Sequence, residues 1–156
     1  MMDAITDLAD IQTRLSRLED ERAVLATLNR YGHSIDYGLE QDWVDCFTED
    51  GVFDVQHHRA GPPGARHEGR EALAAFVGQH TRAPAKYHKH VVVEPVIALA
   101  GDGATVVSYY CRLDVAPNGE PYVRSFGRYR DTMVRCPDGR WRFKERIADG
   151  EAFFQR

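Results

Sequence analysis

Long apolar runs are missing from this 156-residue chain. Nowhere do about 18 apolar residues follow one another, so no membrane-spanning helix is expected. Cysteine is scarce: Cys46, Cys111 and Cys136 are widely spaced and outside any C-x-x-C pattern. So odd and scattered a set offers neither a disulfide framework nor a zinc site, and it fits a reducing cytoplasm. An excess of positive charge is missing too. Twenty Lys and Arg stand against 24 Asp and Glu, a formal net charge of −4, which argues against a protein built to follow a phosphate backbone. The first ten residues carry Asp3, Asp7 and Asp10 and no basic stretch, so no secretory leader is expected there. The chain has no repeats, low-complexity segments or interdomain linkers, and its length reads as one domain spanning residues 1–156.

What is present is ordinary for a globular protein, with 43% hydrophobic and 28% charged residues. The unusual number is seven histidines. From Ile5 to Ile35 apolar residues recur at gaps of three, four and seven (Ile5, Leu8, Ile11, Leu15, Leu18, Leu25, Leu28, Ile35), which predicts helix. The stretch is either two helices meeting near Glu19–Asp20 or one long helix whose first half packs on a partner subunit. A short helix over Gln41–Phe47, turn chemistry at Thr48–Gly51 and a strand over Val52–Gln56 follow. A Gly-Pro loop, a small strand at Arg66–Glu68 and a helix over Arg70–His80 come next. Four β-rich segments complete the chain: Tyr87–Leu99, Thr105–Val115, Tyr122–Arg135 and Arg140–Ala148. Gly101-Asp102-Gly103, Pro117-Asn118-Gly119 and Pro137-Asp138-Gly139 separate them as hairpin turns. Helices first and an antiparallel meander after make an α+β domain, with helices on one face of a curved sheet.

The order of local words now becomes recognisable. Leu28-Asn29-Arg30-Tyr31-Gly32-His33-Ser34-Ile35-Asp36, Phe47-Thr48-Glu49-Asp50-Gly51, His90 with Pro95-Val96-Ile97, Gly127-Arg128-Tyr129-Arg130-Asp131 and Asp138-Gly139-Arg140-Trp141 follow one another. This series resembles SnoaL-like proteins of the nuclear transport factor 2-like superfamily, from Leu15 to Ile147. The resemblance implies a cone-shaped α+β fold. It also implies kinship with scytalone dehydratase, bile-acid dehydratase, a dehydrochlorinase, ketosteroid isomerases and polyketide cyclases. Non-catalytic transport factors and dioxygenase small subunits belong to the same superfamily. In its dehydratase members an Asp on the first helix pairs with a His opening the third long strand. Carried over by position, the catalytic set is Asp36 and His90, with Tyr31 as a hydroxyl donor and no cofactor or metal.

That set suits proton abstraction beside a carbonyl. An Asp holds the imidazole tautomer, the imidazole takes the proton, and a Tyr hydroxyl donates to the developing enolate oxygen. Tyr31 and Asp36 are five positions apart, roughly 140° on an ideal helix, so the two converge only if the helix ends or bends near Gly32 or if the pocket wraps its terminus. His88 and His90 lie on one side of a strand. Position matching favours His90 as the base and puts His88 nearer the pocket mouth. Two His with a carboxylate could also ligate a metal, which the resemblance does not call for. The scytalone-dehydratase pattern points Arg130 inward as a substrate contact, with Arg146 a second candidate of the same kind. Of Tyr109 and Tyr110, on opposite faces, one borders the pocket, and Tyr110 is assigned there. Trp43, Phe53 and Phe76 read as core. His33, His57, His58, His67 and His80 read as solvated, with a lid role open for the loop. The leading expectation is a cofactor-independent, dehydratase-like lyase acting on a small apolar cyclic or aromatic carbonyl compound. It would be cytoplasmic, a homo-oligomer, and without nucleic-acid or membrane partners. Isomerase or cyclase chemistry, or a non-catalytic module, are the alternatives.

Overall fold

The computed structural model describes residues 8–57 and 64–154. Its elements, in chain order, are α1 (Leu8–Tyr37), α2 (Glu40–Val44), β1 (Phe47–His57), β2 (Ala65–Glu68), α3 (Gly69–Gln79), β3 (His88–Ala100), β4 (Gly103–Val115), β5 (Pro121–Arg135) and β6 (Trp141–Phe153). The six strands form one sheet in the order β2-β1-β6-β5-β4-β3. β3 to β6 make the expected antiparallel meander, and β1 joins it parallel to β6. No helix among the described residues is long and apolar enough to cross a membrane. Ile5, His58 and the Gly61-Pro62-Pro63 part of the loop lie outside the described residues.

α1 is one unbroken helix of 30 residues, not two. The apolar stripe read from the sequence is only partly the buried one. Val24, Leu28, Tyr31 and Ile35, spaced four, three and four, face the core, whereas Leu8, Ile11, Leu15 and Leu18 are exposed. The helix therefore runs on past the sheet, and only its second half is anchored. Its end is fixed by local geometry: Gly38 adopts φ +72° and the amide of Leu39 donates to the carbonyl of Ser34 at 2.9 Å, a glycine-capped terminus. Gly32 does not break the helix. It is the point where α1 meets β3, since a Cβ there would stand 2.8 Å from the His90 carbonyl oxygen. That close approach lays the last turn of α1 against the first residues of β3.

Single-residue bulges bend the sheet and change which side chains face inward. One extra residue sits at Arg124 in β5, opposite the step from Arg112 to Leu113 in β4. Another sits at Lys144 in β6, between the pairs Met133–Phe143 and Thr132–Glu145. Bulges increase local twist and re-aim side chains. The narrow end of the cone is filled by aromatic rings. Tyr31 lies 5.5 Å from Trp43, 5.9 Å from Phe143 and 6.0 Å from Tyr129 between ring centroids. These edge and tilted contacts are favourable beyond area burial.

Candidate active site

The last turns of α1 and the first residues of β3 bring together the residues carried over from the resemblance. Asp36 is buried. One of its oxygens lies 2.7 Å from His90 Nδ1, and the other accepts the His90 backbone N–H at 3.1 Å. A carboxylate can only accept here, so the proton of the imidazole sits on Nδ1. Nε2 keeps its lone pair, and His90 lines a cavity of about 580 Å³. Asp36 itself lies behind the ring. The helix does not bend at Gly32 to bring Tyr31 and Asp36 side by side; the cavity lies against its C-terminal end, at Tyr31 and Ile35. Tyr31 reaches the cavity directly, and Asp36 reaches it through His90.

The cavity floor is phenolic. Tyr31 meets Tyr129 edge to face at 6.0 Å, and Tyr110 stacks on Tyr129 at 4.7 Å. Burial pushes all three phenols above the ordinary tyrosine range, so each stays protonated and able to donate at neutral pH. Phe53, Phe76 and Ile35 supply apolar walls. Phe53 and Phe76 are therefore pocket wall as well as core, while Trp43 is core alone.

The histidines divide differently from the sequence reading. His88 is not near the mouth: its side chain is fully buried, with Nε2 3.5 Å from Asp36. His80, expected in solvent at the end of α3, lines the cavity. Its ring lies 5.1 Å from that of His88 and 5.4 Å from that of His90. Burial first, and the His90 ring second, lower both His80 and His88 to about 4, so both are neutral at physiological pH. His57 also lines the cavity, edge-on to Phe153 at 4.6 Å. His33 is exposed, as expected, and His67 is half-buried against Phe76. Nothing in the local pattern marked His80. It arrives because the chain turns at the end of α3, where its Nδ1 lies 2.8 Å from the Thr81 carbonyl.

Neither arginine assigned to substrate contact has that place. Arg130 points to the outer face of β5, where it meets Gln56 at 3.2 Å and Asp149 at 3.6 Å. The inward phase of the strand is Ser125, Gly127, Tyr129, Asp131 and Met133. Arg146 is fully buried beneath the cavity floor. Its Nε and Nη2 each donate to Asp131 at 2.8 Å. Its guanidinium lies 4.2 Å from the Tyr31 ring, 3.9 Å from the Tyr129 ring and 4.2 Å from the Phe143 ring. It fixes the floor instead of touching a ligand. The arginines that do line the cavity are Arg112 and Arg124. The parity shared by Tyr110, Arg112 and Asp114 could have revealed the first. The second depends on the bulge.

Asp36, His88 and His90 offer three potential ligand atoms within 4.8 Å of one another, the donor types of a two-His, one-carboxylate metal set. The separation of 2.7 Å between His90 Nδ1 and Asp36 is that of a charge-assisted hydrogen bond.

Residues 16–147 match the family model described as SnoaL-like domain. The chain is 28% identical to the anthranilate 1,2-dioxygenase small subunit of Burkholderia cepacia, over 78% of this chain and 81% of that protein. Among solved structures it resembles an NTF2-like protein with a cystatin-like fold from Novosphingobium aromaticivorans, with a TM-score of 0.80, 26% identity, and coverage of 95% of this chain and 91% of that one. A Catenulispora acidiphila protein in complex with S-DNPA matches at a TM-score of 0.70 and 26% identity, covering 85% of this chain and 94% of that one. Family match and fold agree, and the chain belongs to the SnoaL-like domain family, with the NTF2-like fold.

Proposed function

We propose that this protein is a cofactor-independent lyase of the dehydratase type, working as a single cytoplasmic domain. The observation that carries the reading is the Asp36–His90 hydrogen bond of 2.7 Å at the wall of an apolar cavity. His90 Nε2 removes a proton beside a substrate carbonyl. Asp36 holds the tautomer and stabilises the imidazolium as it forms. The Tyr31–Tyr129 pair donates to the oxygen on which charge develops. A general base is typically worth ~10²–10⁴-fold in rate. Carbon–oxygen cleavage then expels hydroxide, which leaves as water with the proton that His90 returns. The exposed stripe of Leu8, Ile11, Leu15 and Leu18 is the surface through which copies of the chain associate, because a contiguous apolar stripe on the unanchored half of α1 is stabilised by burial.

A second reading, a non-catalytic subunit, is favoured by the relative from Burkholderia cepacia. It expects a cone plugged by large side chains, whereas this cone holds a cavity with a base at its wall. Isomerase or cyclase chemistry uses the same base and donor, and product mass separates the classes. A panel of small cyclic β-hydroxy ketones is incubated with the protein and the products are weighed by mass spectrometry. Loss of water from at least one supports the lyase. Conversion at unchanged mass replaces it with an isomerase or cyclase, and conversion of none overturns the enzyme reading.

A further inference from the structure

The mouth of the cavity carries positive charge of a built kind. Arg112 is the cross-strand partner of His90, on the inward phase of β4. Asp114, two residues on, has a fully buried carboxylate. Three cations converge on it: Arg112 Nε at 3.0 Å, Lys86 Nζ at 3.1 Å and Arg124 Nε at 3.7 Å. Burial alone would raise the Asp114 carboxyl. Arg112 and Lys86 outweigh that and hold it below the ordinary range, so it is ionised. Of the three cations around this carboxylate, Arg112 and Arg124 line the cavity.

The guanidinium orientations sharpen this. Asp114 accepts from Arg112 Nε, the inner edge of the group, while Arg124 Nε stands off at 3.7 Å as an ion-pair neighbour. Arg124 Nη1 also reaches Tyr122 at 3.4 Å. The two terminal nitrogens of Arg112 make no hydrogen bond among the described residues, and Arg112 lines the cavity. The bulge at Arg124 takes it out of the outward phase of Arg128 and Arg130, and its carbonyl accepts the Phe154 N–H at 2.7 Å. A buried carboxylate that holds Arg112 by its inner edge leaves the outer edge of that guanidinium free for a second anion, with the Arg124 cation beside it.

We infer that Arg112 and Arg124 form an anion clamp at the cavity mouth, and that the substrate is a cyclic or aromatic carboxylic acid. Its carboxylate sits on the two arginines and its ring lies against Phe53, Phe76 and Tyr110. Because Arg112 and His90 are directly opposed across two strands, the carbon that loses the proton lies within a few bonds of the carboxylate. The inference deepens the dyad reading and rests on it for the cavity being the substrate site.

The test reads binding alone, so it can fail independently of the chemistry. The probes are 2-naphthoate and its uncharged methyl ester, measured by equilibrium dialysis against the full chain. The acid should bind about tenfold or more tightly than the ester, in line with charge-assisted hydrogen bonds, and its affinity should fall with added salt. Arg112→Gln with Arg124→Gln should abolish that preference and leave ester binding unchanged. Arg124→Gln alone, at the half-exposed member of the pair, should weaken the acid severalfold and guards against a double variant that fails to fold. His90→Asn should keep the acid preference. Equal affinity for acid and ester, no binding of either, or an undiminished preference in Arg124→Gln and in the folded double variant overturns the clamp. A clamp that passes while no substrate is turned over would instead count against the lyase.

Discussion

Replacing Asp36 by Asn should cut turnover by about 10²–10⁴-fold while leaving cavity binding of 2-naphthoate intact. The carboxylate does two things at once, accepting from the His90 backbone N–H and from Nδ1. An amide has one acceptor oxygen. If that oxygen serves the backbone, the amide nitrogen faces the ring and drives the imidazole proton onto Nε2, which removes the base. If it serves the ring, the backbone N–H is left unpaired and the imidazolium loses its counter-charge. Either way kcat falls more than binding. Because the two residues act as a unit, combining Asp36→Asn with His90→Ala should cost little more than His90→Ala alone. Steady-state kinetics on any converted substrate, read as kcat against KM, checks this.

The second large effect is on stability. Arg146→Met should destabilise the fold by ~3–5 kcal/mol, because it leaves Asp131 buried without its partner. For a chain of this size that corresponds to a melting temperature lower by about 10 °C. Replacing both partners, Arg146→Met with Asp131→Leu, should recover much of the loss, as a buried ion pair exchanged for apolar groups of similar volume is often near neutral. The double variant should still be impaired in turnover, because Tyr31 and Tyr129 would lose the guanidinium that lies against their rings. Melting curves and kinetics on the same three proteins separate the two roles.

These two sites differ in how far the sequence exposes them. The Asp36–His90 pair was legible because the resemblance aligned the two residues, although no periodicity would have joined positions 54 apart. The order of helices and strands was legible from turn chemistry and apolar spacing. What was hidden depends on single-residue register. Trp141 and Phe143 face inward, so strict alternation would next bury Glu145. The bulge at Lys144 buries Arg146 instead. A slip of one residue exchanges the two faces of a strand, and no residue type announces it. Arg130 differs: plain alternation with Tyr129 and Asp131 puts it outward, and only the scytalone-dehydratase pattern points it inward. In α1 the leucine spacing gives the helix but not its length of cover: of the two readings, the one long helix with an uncovered first half is the one found.

The central claim is that His90 Nε2 removes a proton from carbon beside a carbonyl. Deuterium uptake at the α-carbon of 1-tetralone in heavy water, followed by NMR, tests that step without requiring elimination to follow. The account expects exchange above the buffer rate with the native chain, reduced to the buffer rate in a folded His90→Ala variant. Exchange that persists at the native rate in His90→Ala would contradict it.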